Sequence, residues 1–265
     1  MNIKEATIIL LISLALFSCN NKAKKNVETV EVKEMVKPAS EALDKASLLL
    51  DEAFEAHGGA LYDNAHYTFV FRDMTYTFNN TNGYRYTRNG KDKNGDEIYD
   101  VLKNGTLTRT LNGKETTLSK KEADTYAASV NSVIYFATLP HKLYDKAVQK
   151  TYKGTTTIKG LAYDIMEVTF AQEGGGKDFD DQFHYWINSD TKIIDYIAYN
   201  YQVDGGGVRF RSAYNPRRVD GIHFQDYVNY KAPIGTALKD LPKYYEEGKL
   251  KELSRIETEE IRSLR

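Results

Sequence analysis

Apolar and polar residues alternate with a period of two over most of this chain, broken by Asn- and Gly-containing turns, and that pattern restricts its fold more than any other feature. Tyr67, Phe69 and Phe71 point one way while His66, Thr68 and Val70 point the other. Tyr76 and Phe78 carry the pattern on to the turn Asn79, Asn80, Thr81, Asn82, Gly83. Successive side chains of a strand leave opposite faces, and turns of this composition reverse the chain. The same reading predicts strands at 84–88, 97–103, 106–111, 155–159, 163–170, 183–187, 193–203, 208–214 and 222–230. That makes roughly ten strands, and with no helix separating successive ones they pair antiparallel. Twenty tyrosines suit such a sheet, because the ring packs while the hydroxyl meets water.

Two stretches switch to helical spacing. From Ser40, the positions Leu43, Ala46, Leu50, Ala53, Phe54 and His57 recur on one face before Gly58 and Gly59 end the helix. His57 at that end is placed to cap the last carbonyls. A second helix starts at a capping box, Ser119 to Glu122, and runs through Ala123, Tyr126, Ala127, Val130, Val133 and Ile134 toward Pro140. A short helix is expected over 237–245 and a last strand over 253–261. The fold class is α+β, mostly antiparallel β. Both sides of the 193–203 strand are apolar, with Ile193, Ile197, Tyr199 and Tyr201 against Ile194, Tyr196 and Ala198. Either both faces are covered or one lines a cavity.

The N-terminus carries a different kind of signal. Lys4 precedes eleven mostly apolar residues, Ala6 to Leu16. That is about half the roughly 20 needed to cross a bilayer, and it matches an export signal. Leu16, Phe17, Ser18, Cys19 resembles the lipobox of bacterial lipoproteins. The resemblance implies removal of residues 1–18 and acylation of Cys19. Cys19 is the single cysteine of the chain, so no disulfide supports the fold. Residues 19–38 read as a flexible, charged tether, and 39–265 as one folded domain. In the lipoproteins it resembles, an acidic stretch just after the cysteine can direct display on the outer cell surface; this tether starts basic, so the resemblance implies the periplasm-facing side of the outer membrane. A formal charge of −1, from 36 basic and 37 acidic residues, argues against a nucleic-acid partner.

Several short segments carry a further resemblance. Phe183, His184, Tyr185, Trp186, Ile187, Asn188 with Thr191, and Arg218, Val219, Asp220, Gly221, Ile222, His223, Phe224, resemble strand motifs of the LolA/LolB lipoprotein-carrier superfamily. With Glu55 to Gly59, the whole looks like a family of uncharacterised lipoproteins on that plan, over residues 40–232. The resemblance implies an incomplete, half β-barrel with an N-terminal helix and one inserted helix. Its concave apolar surface would shelter acyl chains.

Catalytic signatures are sparse. No G-x-S-x-G elbow is present, and the one cysteine is assigned to the lipid. Gly174 to Lys177 lacks the spacing of a phosphate loop, and around Asp92, Asn94 and Asp96 the glycine falls at Gly95 rather than after the third ligand, with no glutamate six residues further on as a calcium loop has. Asp178, Asp180, Asp181 and His184 form the densest group of metal-ligand types. Arg209, Arg211, Arg217 and Arg218 gather four guanidinium groups that either meet an anion or protect a strand edge. The leading expectation is a non-catalytic binding module for a lipid, acyl chain or other apolar small molecule, tethered to the membrane and needing no cofactor. Its apolar face would be Tyr67, Phe69, Phe71, Tyr76 and Phe78, with Trp186, Tyr199, Tyr201 and Phe210. The alternatives are a periplasmic metal-dependent enzyme built on the Asp–His group and an envelope scaffold for a partner protein.

Overall fold

A computed structural model describes residues 39–171, 180–202 and 205–264, with side chains from residue 45 onward. The export signal, Cys19, the tether, Asp178 and the Gly174 to Lys177 run lie outside the described residues. The chain begins with α1 (Ala39–His57) and a 3-10 turn (Gly59–Asn64). Six strands follow: β1 (His66–Phe71), β2 (Met74–Asn79), β3 (Arg85–Lys91), β4 (Glu97–Lys103), β5 (Thr106–Leu111) and β6 (Lys114–Thr116). After α2 (Lys120–Ala137) come β7 (Val148–Ile158), β8 (Leu161–Phe170), β9 (Gln182–Asn188), β10 (Ile194–Tyr201), β11 (Gly207–Val219) and β12 (Ile222–Ala232). A 3-10 turn (Leu238–Asp240), α3 (Leu241–Glu246), β13 (Lys251–Ile256) and β14 (Glu259–Ser263) end it.

The strands form two seven-stranded antiparallel sheets, ordered β14-β1-β2-β3-β4-β5-β6 and β13-β12-β11-β10-β9-β8-β7. β13 pairs with β12, and two residues later β14 pairs with β1, so the end of the chain contributes to both sheets. The Tyr67 hydroxyl adds a cross-link by donating to the Val219 carbonyl at 3.2 Å. β6 and β7 remain unpaired edges at the far ends, which makes an open half-barrel rather than a closed one.

The described residues hold more strands than the roughly ten expected. β1 and β2 are separate because Arg72 and Asp73 turn the chain in two residues, both with positive φ of 49° and 62°. Such a turn normally advertises itself with Asn-Gly. The expected last strand over 253–261 is two, β13 and β14. The alternation assigned to the 193–203 strand also shifts. Ile194 opposes Ile187 and Tyr196 opposes Trp186, so Asp195 is an extra residue, a β-bulge. The bulge puts Ile194 into the same apolar cluster as Ile197, and Tyr196 and Ala198 into another.

Three clusters make the core. α1 lays Leu49, Leu50 and Ala53 on Met166, Tyr185, Ile197 and Tyr227 of the second sheet. α2 lays Val130 and Ile134 on Tyr67, Phe69, Phe78, Tyr86 and Leu102 of the first. On the other face of the second sheet, Leu238 and Leu241 cover Trp186, Tyr196 and Phe210. The capping box that starts α2 is present, with Ser119 N donating to Glu122 Oε2 at 2.9 Å and Glu122 N to Ser119 Oγ at 3.3 Å. Gly58, at φ 137°, lets the chain pass Ile222, whose Cα would lie 3.2 Å from an added Cβ.

Between the first sheet and α2 lies a buried ionic group. Asp100, with no solvent exposure, accepts from Arg88 Nε at 2.9 Å and from Arg109 Nε at 2.6 Å. Arg88 Nη1 reaches Ser129 Oγ at 2.9 Å, and the Arg109 guanidinium sits 3.5 Å over the Tyr126 ring. Removing one partner of a buried ionic group leaves charge uncompensated. Asp100→Asn is therefore expected to lower unfolding free energy by about 3 kcal/mol, read as a fall in the urea midpoint at unchanged slope.

Candidate functional site

The second sheet owns a pocket of about 500 Å³ on the face opposite α1, roofed by the segment from Ile234 to Lys239. Cross-strand register builds the floor. Glu167 of β8 stands opposite His184 of β9, and Gln182 of β9 stands opposite Asn200 of β10. Side chains opposite one another share a face, so four polar groups converge. Ile165, Tyr201, Val208, Ile234 and Leu238 supply apolar walls. The roof is a tight turn, with Thr236 N and Thr236 Oγ1 both donating to the Pro233 carbonyl, at 3.2 and 2.7 Å. Ile234, 72% exposed, stands at the mouth.

Glu167 is the hub of the floor. Gln182 Nε2 donates to its Oε2 at 2.6 Å, His184 Nε2 lies 3.1 Å from the same oxygen, and Lys153 Nζ reaches Oε1 at 3.2 Å. Burial pulls the Glu167 carboxyl upward, but the bonds from His184 and Lys153 outweigh it and hold it below the usual carboxylate value. Burial lowers the His184 imidazole, and the Glu167 partner opposes that only in part. Near neutral pH the pair is thus an ionised carboxylate with a neutral imidazole, Nε2–H donating. The described lining contains no serine or cysteine, and the Thr236 hydroxyl is engaged with Pro233. What the arrangement offers is a small polar anchor beneath apolar walls.

The residues singled out from the sequence scatter across the fold. Tyr201 lines the pocket, and Trp186 and Phe210 lie in the cluster that also holds Val208 and Leu238, directly supporting its wall. Tyr199 is half-buried at the margin of the α1 cluster. Tyr67, Phe69, Tyr76 and Phe78 are buried in packing with α2, and Phe71 sits at the edge of that cluster. They occupy core, because α2 covers the face on which they alternate. Asp180 and Asp181 do not converge with His184, which takes Glu167 as its partner. Among the described residues, no three His, Cys, Asp or Glu side chains gather as a metal site. Of the four arginines, Arg217 pairs with Asp226 at 2.9 Å, and Arg218 donates to the Ala56 and Gly221 carbonyls at 2.7 and 2.8 Å. Lys153, Glu167, Gln182 and the roof were not legible as a site. One signal existed, since Glu167 is a carboxylate inside the apolar strand Leu161–Phe170.

A family model described as a family of unknown function, DUF6503, matches residues 6–258. The chain belongs to the DUF6503 family. No curated protein sequence matches it. Among solved structures, the DUF6503 chain is similar to a LolA superfamily protein from Nitrosomonas europaea, with a TM-score of 0.50 at 11% identity, over 82% of this chain and 92% of that one. It is also similar to a DUF1329 family protein from Desulfovibrio piger, with a TM-score of 0.40 at 15% identity, over 83% of this chain and 93% of that one. The first likeness is one of fold, and it agrees with the open half-barrel arrangement of antiparallel strands in the DUF6503 chain.

At the end of α1 the DUF6503 chain buries a histidine pair. His57 Nδ1 bonds the Ala53 carbonyl at 2.7 Å, and the ring meets that of His223 edge-on at 5.1 Å. Burial pulls His57 down to about 3 and also lowers His141 and His223. A folded-state value below the unfolded one means that the unfolded chain takes up the proton first as pH falls. The stability is complete above the ordinary histidine value of about 6.5 and drains away below it, for His57 down to about 3. Urea unfolding at pH 5 is expected to give about 2 kcal/mol less stability than at pH 7.5 from His57 alone, and His57→Gln is expected to flatten that slope.

Proposed function

We propose that this protein is an envelope lipoprotein, held by acyl chains on Cys19 at the periplasmic side of the outer membrane, whose half-barrel binds a lipid, an acyl chain or another apolar small molecule without chemically altering it. The observation that carries this reading is the pocket of about 500 Å³, with Ile165, Tyr201, Val208, Ile234 and Leu238 around a Glu167–His184 floor. Its volume falls in the range of about 300–1,000 Å³ common to small-molecule sites, and apolar walls with few polar groups are their usual lining. Each methylene buried from water contributes about 0.8 kcal/mol, so even a short chain would be held. The likeness of fold to a LolA superfamily protein supports a carrier or binding role over an enzymatic one. So does a pocket lining in which Glu167 and His184 bond each other and the Thr236 hydroxyl is engaged by the Pro233 carbonyl.

The lipobox supports the anchor. Two or three acyl chains on one residue hold a protein to a membrane far more firmly than a single chain does. Cys19→Ser is expected to move the protein from the membrane pellet to the soluble fraction and to abolish incorporation of labelled palmitate; a variant that still pellets refutes the anchor. For the pocket, native mass spectrometry of freshly purified protein is expected to show a bound lipid, and a fluorescent fatty acid is expected to bind. Ile234→Asp puts a charge at the exposed mouth and is expected to weaken that binding about tenfold at unchanged melting temperature. No bound lipid together with no uptake of the probe would sink the proposal.

A further inference from the structure

We infer that the opposite face of the second sheet, beneath the C-terminal end of α2, holds a binding site for an anionic group, a carboxylate or phosphate, built on Arg211 with Arg209 beside it. Arg211 of β11 stands opposite Ile197 of β10, which in turn stands opposite Tyr185 of β9. That row faces α1 and α2, away from the pocket, so the inference stands apart from the pocket reading. The residue is 7% exposed. Its guanidinium lies 3.9 Å from the Phe136 ring centroid, and Nη2 donates to the Tyr199 hydroxyl at 2.9 Å. Nε and Nη1 are shielded from solvent and meet no acceptor among the described residues. Those two atoms carry three of the five N–H groups of the side chain.

The contrast within the molecule makes this informative. Arg88 and Arg109 share the Asp100 carboxylate, and Arg217 has Asp226. Among the described residues neither Arg211 nor Arg209 makes an ion pair with a carboxylate, and Arg209 instead donates to the Tyr201 hydroxyl and the Val208 carbonyl. An arginine cannot shed its charge, and burying one without a counter-charge is costly. A fold that matches its other buried guanidinium groups with carboxylates and leaves this one to aromatic rings has kept it for an anion from outside. Rings continue from it, half-buried except for the buried Phe183: Phe136 to Tyr199 at 5.9 Å, Tyr199 to Phe183 at 5.2 Å and Phe183 to Phe170 at 5.7 Å. An apolar bed beside a cation fits an anionic amphiphile, head group on Arg211 and tail along the rings.

The test uses the full chain in a neutral detergent, melted in the presence of dodecanoate, 1-dodecanol or inorganic phosphate. Dodecanoate is expected to raise the wild-type melting temperature by roughly 5 °C more than dodecanol at saturation. That difference is expected to vanish in Arg211→Met, while the variant itself melts at or above wild type because an unpaired buried charge has become a thioether. Phosphate matching dodecanoate assigns the site to free anions; a response that needs the tail assigns it to a head group. Arg211→Met melting well below wild type makes the arginine a packing residue and overturns the site. So does a wild type that responds neither to phosphate nor to dodecanoate beyond dodecanol.

Discussion

Apolar side chains on both faces of one sheet set the terms for the rest of this structure. On β9 alone, Phe183, Tyr185 and Ile187 leave one face while Trp186 leaves the other, and all four are buried. A sheet wet on one side has no use for such a strand. One face is therefore covered by α1 and the end of α2, and the other by the 3-10 turn and α3. The first sheet has a single apolar face and needs a single cover, which α2 provides.

That division locates the openings. The short cover on the outer face, Leu238 to Glu246, is too small to span seven strands, and where it stops the pocket begins. Its floor is polar because β8, β9 and β10 place Glu167, His184, Gln182 and Asn200 in register just beyond the last buried rings. The same economy governs charge. Under α2, one buried carboxylate serves two arginines and ties the helix to the sheet through Ser129 and Tyr126. Over the second sheet, Arg211 has rings and one hydroxyl in the place of a carboxylate. Two chemically distinct faces of one sheet thus carry a carboxylate-centred floor and an arginine-centred one.

Several elements could be read before any coordinates. Alternation placed β4, β5, β8 and β9 to within a residue or two, and the Ser119–Glu122 box marked the start of α2. Where reading failed, a local irregularity intervened. The Arg72–Asp73 turn lacks glycine, so alternation alone does not separate β1 from β2, and the bulge at Asp195 moves Ile194 onto the face of Ile197 while Tyr196 stays on the other. Of the aromatic residues proposed for a ligand, Tyr201 reaches the pocket wall, whereas Tyr67, Phe69, Tyr76 and Phe78 became core. Period two tells which side of a strand a ring leaves, but not whether a helix lies there.

The sequence by itself determined an antiparallel α+β chain with its helices, and proposed the acylated Cys19, because periodicity, capping and lipobox are properties of neighbours along the chain. Only the tertiary structure decided which apolar face was filled and which left open, and which charges found partners. Glu167 and His184 are 17 residues apart, and Arg88 and Asp100 are 12 apart. What joins each pair is strand register, a cross-chain relation fixed by turns and bulges that no local pattern encodes.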